Sequence, residues 1–388
     1  MPGFELIGKE ELAGLQDIFE TSNGVLFPHG FDGLRNGRYR VREFERKFSA
    51  KIGSAHAQAV TSGTVAQVVA MLAMGVKPGD EVITQAFTFV ATVETILMIG
   101  AVPVIVDVDD TYNMDPVELE KAITDKTRLI VPVHMLGNPA SMDEILAVAS
   151  RHNIPVLEDS CEALGASYKG KYAGTLGDIG IYSLDFGKTI TTGEGGMIVT
   201  NNSGYYKFMK EFTDHGHENN PALPRGRDTR SMYGMNYRMN EMQGAVGMAQ
   251  LDKLDQIVSA NRRNKKLLKD ALNTDKIQFR NITDEAGELA DTLIFHFEKA
   301  SMATEFVKQY NAAGYGTKNI PDAIDWHFAG TWNHMFAGVP AYRDSWKTAW
   351  QRTADLLARS VALPVMVNTT EEETARHSEA INTILQGI

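Results

Sequence analysis

The chain has 388 residues, 43% of them hydrophobic, and its 38 basic and 49 acidic side chains give a net charge of −11. That length holds one large core and a smaller one, because single cores stop growing near about 250–300 residues. The acidic balance argues against nonspecific attraction to DNA, RNA or anionic lipid and leaves a local basic site open. One cysteine, Cys161, excludes an intrachain disulfide and agrees with a reducing compartment. "MPGFELIGKEELAGL" lacks the basic-then-apolar order of a secretion signal. "FVATVETILMIGAVPVIVDV" is interrupted by Glu94, Gly100 and Pro103, so it reads as a buried helix followed by a strand, not a membrane span. The expectation is a cytoplasmic protein with neither a membrane nor a nucleic acid as partner.

From about residue 55 to residue 200, short β-rich runs alternate with helical patterns. "DEVITQAF", "AVPVIVDVD", "TRLIVPVHM" and "NIPVLEDS" read as strands, with "TVAQVVAMLAMG", "FVATVETILMIG" and "SMDEILAVASRH" as the helices between them. Such alternation predicts a mostly parallel sheet with helices on its faces. "IGIYSLDF" and "GGMIVTN" add two strands, the second a candidate for antiparallel pairing. Past Asn236 comes a long helical stretch, "NEMQGAVGMAQLDKLDQIVSANRRNKKLLKDAL", then a strand, "DTLIFHFE", and a helix, "SMATEFVKQYNAAG". This divides the chain into a large α/β part, 1–260, and a small C-terminal α+β part, 261–388. "ENNPALPRGRDTR" is the expected mobile loop.

Several places carry candidate chemistry. In "VTSGTVAQVVAML", Ser62, Gly63 and Thr64 stand where a helix begins. Its free N–H groups and positive dipole end can hold phosphate, although alone the segment reads as an ordinary capped helix. "VLEDSCEALG" places Glu158, Asp159 and Glu162 at the carboxyl end of a strand, where open parallel sheets gather ligands. There a carboxylate binds metal, acts as a base, pairs with a protonated heterocycle, or merely favours a helix dipole. His215 and His217 lack a third ligand at a recognisable spacing, so no metal is expected. "GTLGDIG" precedes a strand, which denies it the context of a dinucleotide site.

Lys188, in "SLDFGKTITTGEGGMIVTNN", is not a Walker A lysine, because that motif needs a glycine where this chain has Tyr182. A lysine used covalently forms a Schiff base, commonly with pyridoxal phosphate. That cofactor needs a lysine, an acid for its ring nitrogen, an anion site and a flat side chain over the ring. Lys188, Asp159, the Ser62–Thr64 helix start with Ser183, and Phe89 are candidates for all four within one alternating unit.

"TSGTVA", "QAFTFVAT", "GAVPVIVDVD", "HMLGNPASMDEI", "LEDSCEALGASYKGKYAGTLGDIGIYSL", "KTITTGEGGMIVTN" and "MNYRMNEMQGAVGMAQL" together resemble the DegT/DnrJ sugar aminotransferases. The resemblance runs from about residue 15 to residue 265 and more faintly beyond. It implies pyridoxal phosphate fold type I, the aspartate aminotransferase-like α/β fold. By that resemblance Lys188 would carry the cofactor and move the proton, while Asp159 would keep the ring nitrogen protonated. Glu162 would approach the ring hydroxyl and Phe89 would stack. Ser62, Gly63, Thr64 and Ser183 would hold the phosphate, and Asn236 would reach across from the other subunit of a homodimer with shared active sites. Where relatives carry an aromatic–His pair, this chain has Leu184 and Asp185, and a carboxylate there would raise the lysine's pKa.

Lysine at position 188, where dehydrating relatives have histidine, implies transamination from L-glutamate to a keto or aldehyde sugar. Arg238 is a candidate for the donor's carboxylate. "FDGLRNGRYRVREFE" and "TDHGHENN" resemble the 8-amino-3,8-dideoxy-manno-octulosonate aminotransferase subgroup, implying an oxidised octulosonate acceptor and a product destined for lipopolysaccharide. Arg35 and Arg38, with Arg40 and Arg42, would then meet an anionic substrate, or else form a solvated basic helix start. A nucleotide-linked keto sugar is the alternative acceptor. A cofactor-binding regulator without turnover is the alternative of another class.

Overall fold

The computed structural model describes residues 3–220, 222–339, 342 and 345–388. The apolar runs of the first half form β1 (His56–Val60), β2 (Glu81–Gln85), β3 (Val102–Val106), β4 (Thr127–Val131) and β5 (Leu157–Asp159). A small hairpin of β6 (Ser167–Tyr168) and β7 (Lys171–Tyr172) follows, then β8 (Ile179–Ser183) and β9 (Gly196–Thr200). Hydrogen bonding orders them β3-β2-β4 and β5-β8-β9-β1, and parallel bridges Ile130–Val156 and Val133–Asp159 join the two groups. Pairing is parallel except around β9, which runs antiparallel to both β8 and β1. The expected parallel sheet and the antiparallel "GGMIVTN" strand are both present.

Every residue of β5, β8 and β9 is buried, which accounts for their unbroken apolar sequences. Helix Gly63–Ala73 covers β8 and β9, while Ala91–Met98 and Met142–His152 serve other crossovers. All the parallel strands deliver their carboxyl ends to one edge of the sheet, and the functional residues gather there.

Two N-terminal helices, Lys9–Ser22 and Arg40–Ile52, pack on helix Glu241–Asp252. Val41, Phe44, Phe48 and Ile52 form the buried stripe of the second, so the lead-in arginines belong partly to a packed amphipathic helix. Gly247 permits the close approach: a Cβ there would lie 2.7 Å from the Phe44 ring. The long helical stretch is broken at Lys253 into Glu241–Asp252 and Leu254–Asp270. The Lys253 ammonium reaches back to the Leu6 carbonyl at 2.6 Å and to Glu11 at 2.7 Å.

The 260/261 division falls inside helix Leu254–Asp270. Beyond it, β10 (Gln278–Phe279), β11 (Thr292–His296) and β12 (Ser360–Pro364) form an antiparallel sheet. Helices Ala300–Ala312 and Glu371–Gly387 close a core around Phe295, Phe306, Leu363 and Ile381. In the expected mobile loop, Pro221 lies outside the described residues. The ends of that excursion meet through an isolated His217–Arg230 bridge, and Asp228 accepts from the Asn219 and Asn220 N–H groups at 2.7 and 3.3 Å. Among the described residues no helix is long and apolar enough to cross a membrane.

Candidate active site

Asp159 ends β5 and Ser183 ends β8, its parallel neighbour. β1 leads through Thr61 into Ser62, which caps helix Gly63–Ala73 by accepting from the Val65 N–H at 3.1 Å. The Ser62 carbonyl takes the Ala66 N–H at 3.0 Å, and the Gly63 and Thr64 N–H groups have no acceptor within the helix. Gly63 is required by proximity: a Cβ would fall 2.8 Å from Ser183 Cβ and 3.1 Å from Cys161 Sγ. These segments enclose a cavity of about 290 Å³ that also receives Phe89, Thr92, Glu162 and Lys188.

Lys188 is reached through a tight turn. Asp185 Oδ1 accepts from the Gly187 N–H at 2.6 Å, and the Asp185 carbonyl accepts from the Lys188 N–H at 3.1 Å. This Asx-type turn is what Asp185 contributes beside the lysine. Lys188 Nζ lies 3.5 Å from Glu162 Oε1 and 6.0 Å from the centre of the Phe89 ring. Burial alone would lower the ammonium's pKa, but the carboxylates of Glu162, Asp185 and Asp159 outweigh it, so the pKa is raised. Glu162 shows the reciprocal effect. Burial pushes its carboxyl up, yet Lys188, His327 and Lys318 hold it well below the usual carboxylate range.

Asp159 faces the same cavity under different control. Its Oδ2 accepts from Thr92 Oγ1 at 3.0 Å and its Oδ1 from the Cys161 N–H at 3.1 Å, while Thr88 and Thr92 hydroxyls lie 2.8 Å apart. Burial pushes its carboxyl pKa up despite those bonds and the Lys188 charge. Burial also raises the neighbouring Cys161 thiol, which therefore stays protonated and is a poor nucleophile.

The three carboxylates read together from "VLEDSCEALG" separate here. Glu158 points to the other face of β5, as strand alternation requires. It binds His134 Nε2 at 3.0 Å and the Gly174, Leu176 and Gly177 N–H groups at 2.8, 2.6 and 2.5 Å, so it organises a loop. Turns, not a helix, follow Asp159, which removes the helix-dipole reading of these acids. Among the described residues, no three His, Cys, Asp or Glu side chains converge as a metal site.

Ser62, Gly63, Thr64, Phe89, Asp159, Glu162, Ser183 and Lys188 thus line one cavity. Asn236, Arg35, Arg38 and Arg238 do not line it. Asn236 is exposed and bridges Asp214, Arg238 pairs with Asp214 at 2.5 Å, and Arg38 pairs with Asp17 at 3.2 Å. Arg35 is fully buried, donating to the Phe27 carbonyl beside Tyr39.

Sequence reading missed Gln67, Thr88, Thr92, Glu194, Asn319 and His327, all of which line the cavity. The spacing of Thr88 and Thr92 within "QAFTFVAT" was an available signal. Asn319 and His327, bonded to each other at 3.0 Å, arrive from the C-terminal part with no local motif to mark them.

A match to the DegT/DnrJ/EryC1/StrS aminotransferase family covers residues 32–382. The chain belongs to this family. GDP-perosamine synthase of Caulobacter vibrioides is 44% identical over 228 residues, which is 58% of this chain and 60% of that protein. The chain therefore spans about three-fifths of the length of that relative. The aminotransferase of Psychrobacter cryohalolentis superposes with a TM-score of 0.86 at 26% identity, covering 98% of both chains. The E. coli GDP-4-keto-6-deoxy-D-mannose-3-dehydratase with bound hydrated PLP superposes at 0.81 with 25% identity, covering 97% of both. The chain thus has the pyridoxal phosphate fold type I architecture.

Proposed function

We propose that this protein is a sugar aminotransferase that passes an amino group from L-glutamate to a keto or aldehyde sugar. The carrying observation is that Lys188 and Asp159 share one cavity with the Ser62–Thr64 helix start, Ser183 and Phe89. The cofactor is pyridoxal 5′-phosphate. The residues fit it on three counts: Gly63 and Thr64 N–H groups without an acceptor in their helix, a close approach of Ser183 to that helix start that glycine at 63 permits, and a buried Gln67 Nε2 with no partner among the described residues.

When bound, pyridoxal 5′-phosphate supplies an aldehyde that combines with amines and a ring that accepts the electron pair left by a departing proton. Lys188 would hold that aldehyde carbon, then carry the proton between the substrate carbon and the cofactor carbon once its nitrogen is released. Asp159, desolvated and fixed by Thr92 and Cys161, would keep the ring nitrogen protonated. Glu162 would face the ring hydroxyl, Phe89 would cover the ring, and the Gly63 and Thr64 N–H groups with the Ser62 and Ser183 hydroxyls would take the phosphate. Asn236, exposed and outside its own cavity, would serve the partner's site in a homodimer. The 1–260 part would hold most of the cofactor, with 261–388 contributing Asn319 and His327.

For the acceptor we favour an oxidised octulosonate. The two stretches that resemble that subgroup meet at a second cavity of about 480 Å³, with Arg42, Lys210 and Arg238 on its walls. Its four cations, Arg42, Arg46, Lys210 and Arg238, face three acids, Glu43, Glu45 and Asp214, and it shares no lining residue with the Lys188 cavity, so it would serve a carboxylated acceptor only from across a subunit interface. A nucleotide-linked keto sugar is the second reading, favoured by the 44% identity to GDP-perosamine synthase. The test is to supply purified protein with L-glutamate and either an 8-oxo-octulosonate or a GDP-linked 4-keto sugar, reading out 2-oxoglutarate. Turnover with the first alone supports the favoured acceptor and turnover with the second alone replaces it. Release from neither, with an unchanged visible spectrum on adding glutamate, removes the aminotransferase reading and leaves the regulator.

A further inference from the structure

Apart from the Lys188 cavity, with which it shares no lining residue, a groove of about 570 Å³ lies between helix Leu254–Asp270 and the strands β10 and β11. On the helix, Arg262, Lys265, Lys266 and Lys269 recur at spacings that place them on one face, and all four line the groove. Arg280, just past β10, adds a fifth cation. In a chain of net charge −11, five cations against the groove's three acids (Asp270, Glu285 and Glu288) are a local reversal of sign.

The acids do not use up this charge. One oxygen of Glu288, Oε1, receives both Lys265 Nζ at 2.5 Å and Arg280 Nη2 at 2.9 Å. Asp270 takes Lys266 at 2.6 Å. Lys269 rests over the Phe279 ring, 5.1 Å from its centre, and Arg262 Nε donates to the Glu288 carbonyl at 2.8 Å. Arg280 is 4% exposed, and its Nε has no hydrogen-bond partner among the described residues. Burial pulls the Lys265 ammonium down to about 8, with Arg280 and Lys269 adding to that effect and Glu288 opposing it. A buried guanidinium N–H without an acceptor, beside cations that outnumber their acids, calls for an anion.

We propose that this groove binds a phosphate-type oxyanion, held by Lys265, Lys266, Lys269, Arg262 and the Arg280 guanidinium. Occupancy is felt at the cofactor cavity through Arg280, whose Nη1 and Nη2 hold the carbonyls of Met135 at 3.2 Å and Leu136 at 2.7 Å. Leu136 stands at φ +50° and donates its N–H to Glu162 Oε2 at 3.4 Å, while Met135 lines the Lys188 cavity. An anion drawing on Arg280 therefore shifts the turn that presents a donor to Glu162.

The test is calorimetric titration of the cofactor-loaded protein, first with inorganic diphosphate and separately with a nucleoside diphosphate, at low and moderate salt. One equivalent per chain is expected, weakening with salt. The Lys266→Gln/Lys269→Gln pair, on the groove's outer side, should weaken it at least about tenfold. Comparable affinity for the two ligands assigns recognition to the phosphates; a tighter nucleoside diphosphate shows that the groove holds the nucleoside as well. Absence of heat at millimolar diphosphate, or binding untouched by the double substitution, overturns the site. Saturation should also shift the visible absorbance of the bound cofactor, and an unmoved spectrum overturns the connection to Glu162.

Discussion

Lys188 Nζ and Glu162 Oε1 form a buried ion pair at 3.5 Å, their side chains 11% and 4% exposed. Each stabilises the other's charged form, so the lysine pKa is raised and the glutamate pKa lowered. By linkage, the glutamate's contribution is present above its ordinary value of 4.5 and is lost as pH falls through the lower folded value. The lysine's contribution is present below its ordinary value of 10.5 and is lost as pH rises through the higher folded one. Glu162→Gln should therefore destabilise the cofactor-free protein at pH 7 by about 3 kcal/mol. That is the low end for breaking a buried pair, because Asp185 and Asp159 still face the lysine. Denaturant unfolding of both proteins should show the difference, and it should shrink as the pH drops below about 4.5. A pH-independent difference would mean the glutamate acts through packing alone.

Asp159→Asn separates electrostatics from cofactor retention. The carboxylate is held by Thr92 and Cys161, whereas the proposed phosphate contacts lie on the Gly63–Ala73 helix start and Ser183. The substitution keeps the shape and removes the charge opposite the ring nitrogen. Stopped-flow absorbance on mixing with glutamate should slow by about 10²–10³-fold, as when one preorganised electrostatic partner is lost. Cofactor content per chain should stay near that of the parent. A rate close to the parent's would end the proposed role of Asp159.

Lys188 and Asp159 were legible because Asp159 ends one apolar strand and Lys188 follows another, and the strand ends of a parallel sheet share one edge. The neighbouring acids were not. Period-two alternation places Glu158 and Asp159 on opposite faces but does not say which face holds a cavity, and only the loop through Gly174–Gly177 makes the Glu158 side structural. The stripe Val41, Phe44, Phe48 and Ile52 was present in the sequence yet hidden among charged residues, so the lead-in read as a string of arginines. Asn319 and His327 are a tertiary outcome. Their approach depends on Lys318, which is tied to Asp291 at 2.9 Å, and nothing local in the chain announces that.

Gly63→Ala probes the junction of three segments. The added Cβ would press on Ser183 Cβ at 2.8 Å and Cys161 Sγ at 3.1 Å, and Ser183 ends a fully buried strand with little room to yield. Overpacking of this kind costs about 1–3 kcal/mol. Because the strain falls on the proposed phosphate cradle, cofactor affinity should drop about tenfold. Equilibrium dialysis against pyridoxal 5′-phosphate measures this directly. Unchanged affinity with a lower melting temperature would move the phosphate contacts away from the Gly63–Ser183 junction.

Gln67 yields a prediction that differs between the empty and the loaded protein. Its side chain lines the cavity at 2% exposure, one helical turn beyond Gly63, and its Nε2 has no partner among the described residues. A buried amide N–H without an acceptor costs about 1–3 kcal/mol, and leucine fills nearly the same volume without that cost. Gln67→Leu should therefore raise the melting temperature of the cofactor-free protein. With cofactor present, the parent's amide gains an acceptor and the variant does not, so the rise on loading should be smaller in the variant. Calorimetric scans of both proteins, with and without pyridoxal 5′-phosphate, give the four temperatures required. An equal rise on loading would show that Nε2 never meets the cofactor, and would leave Gln67 a wall of the cavity rather than one of its donors.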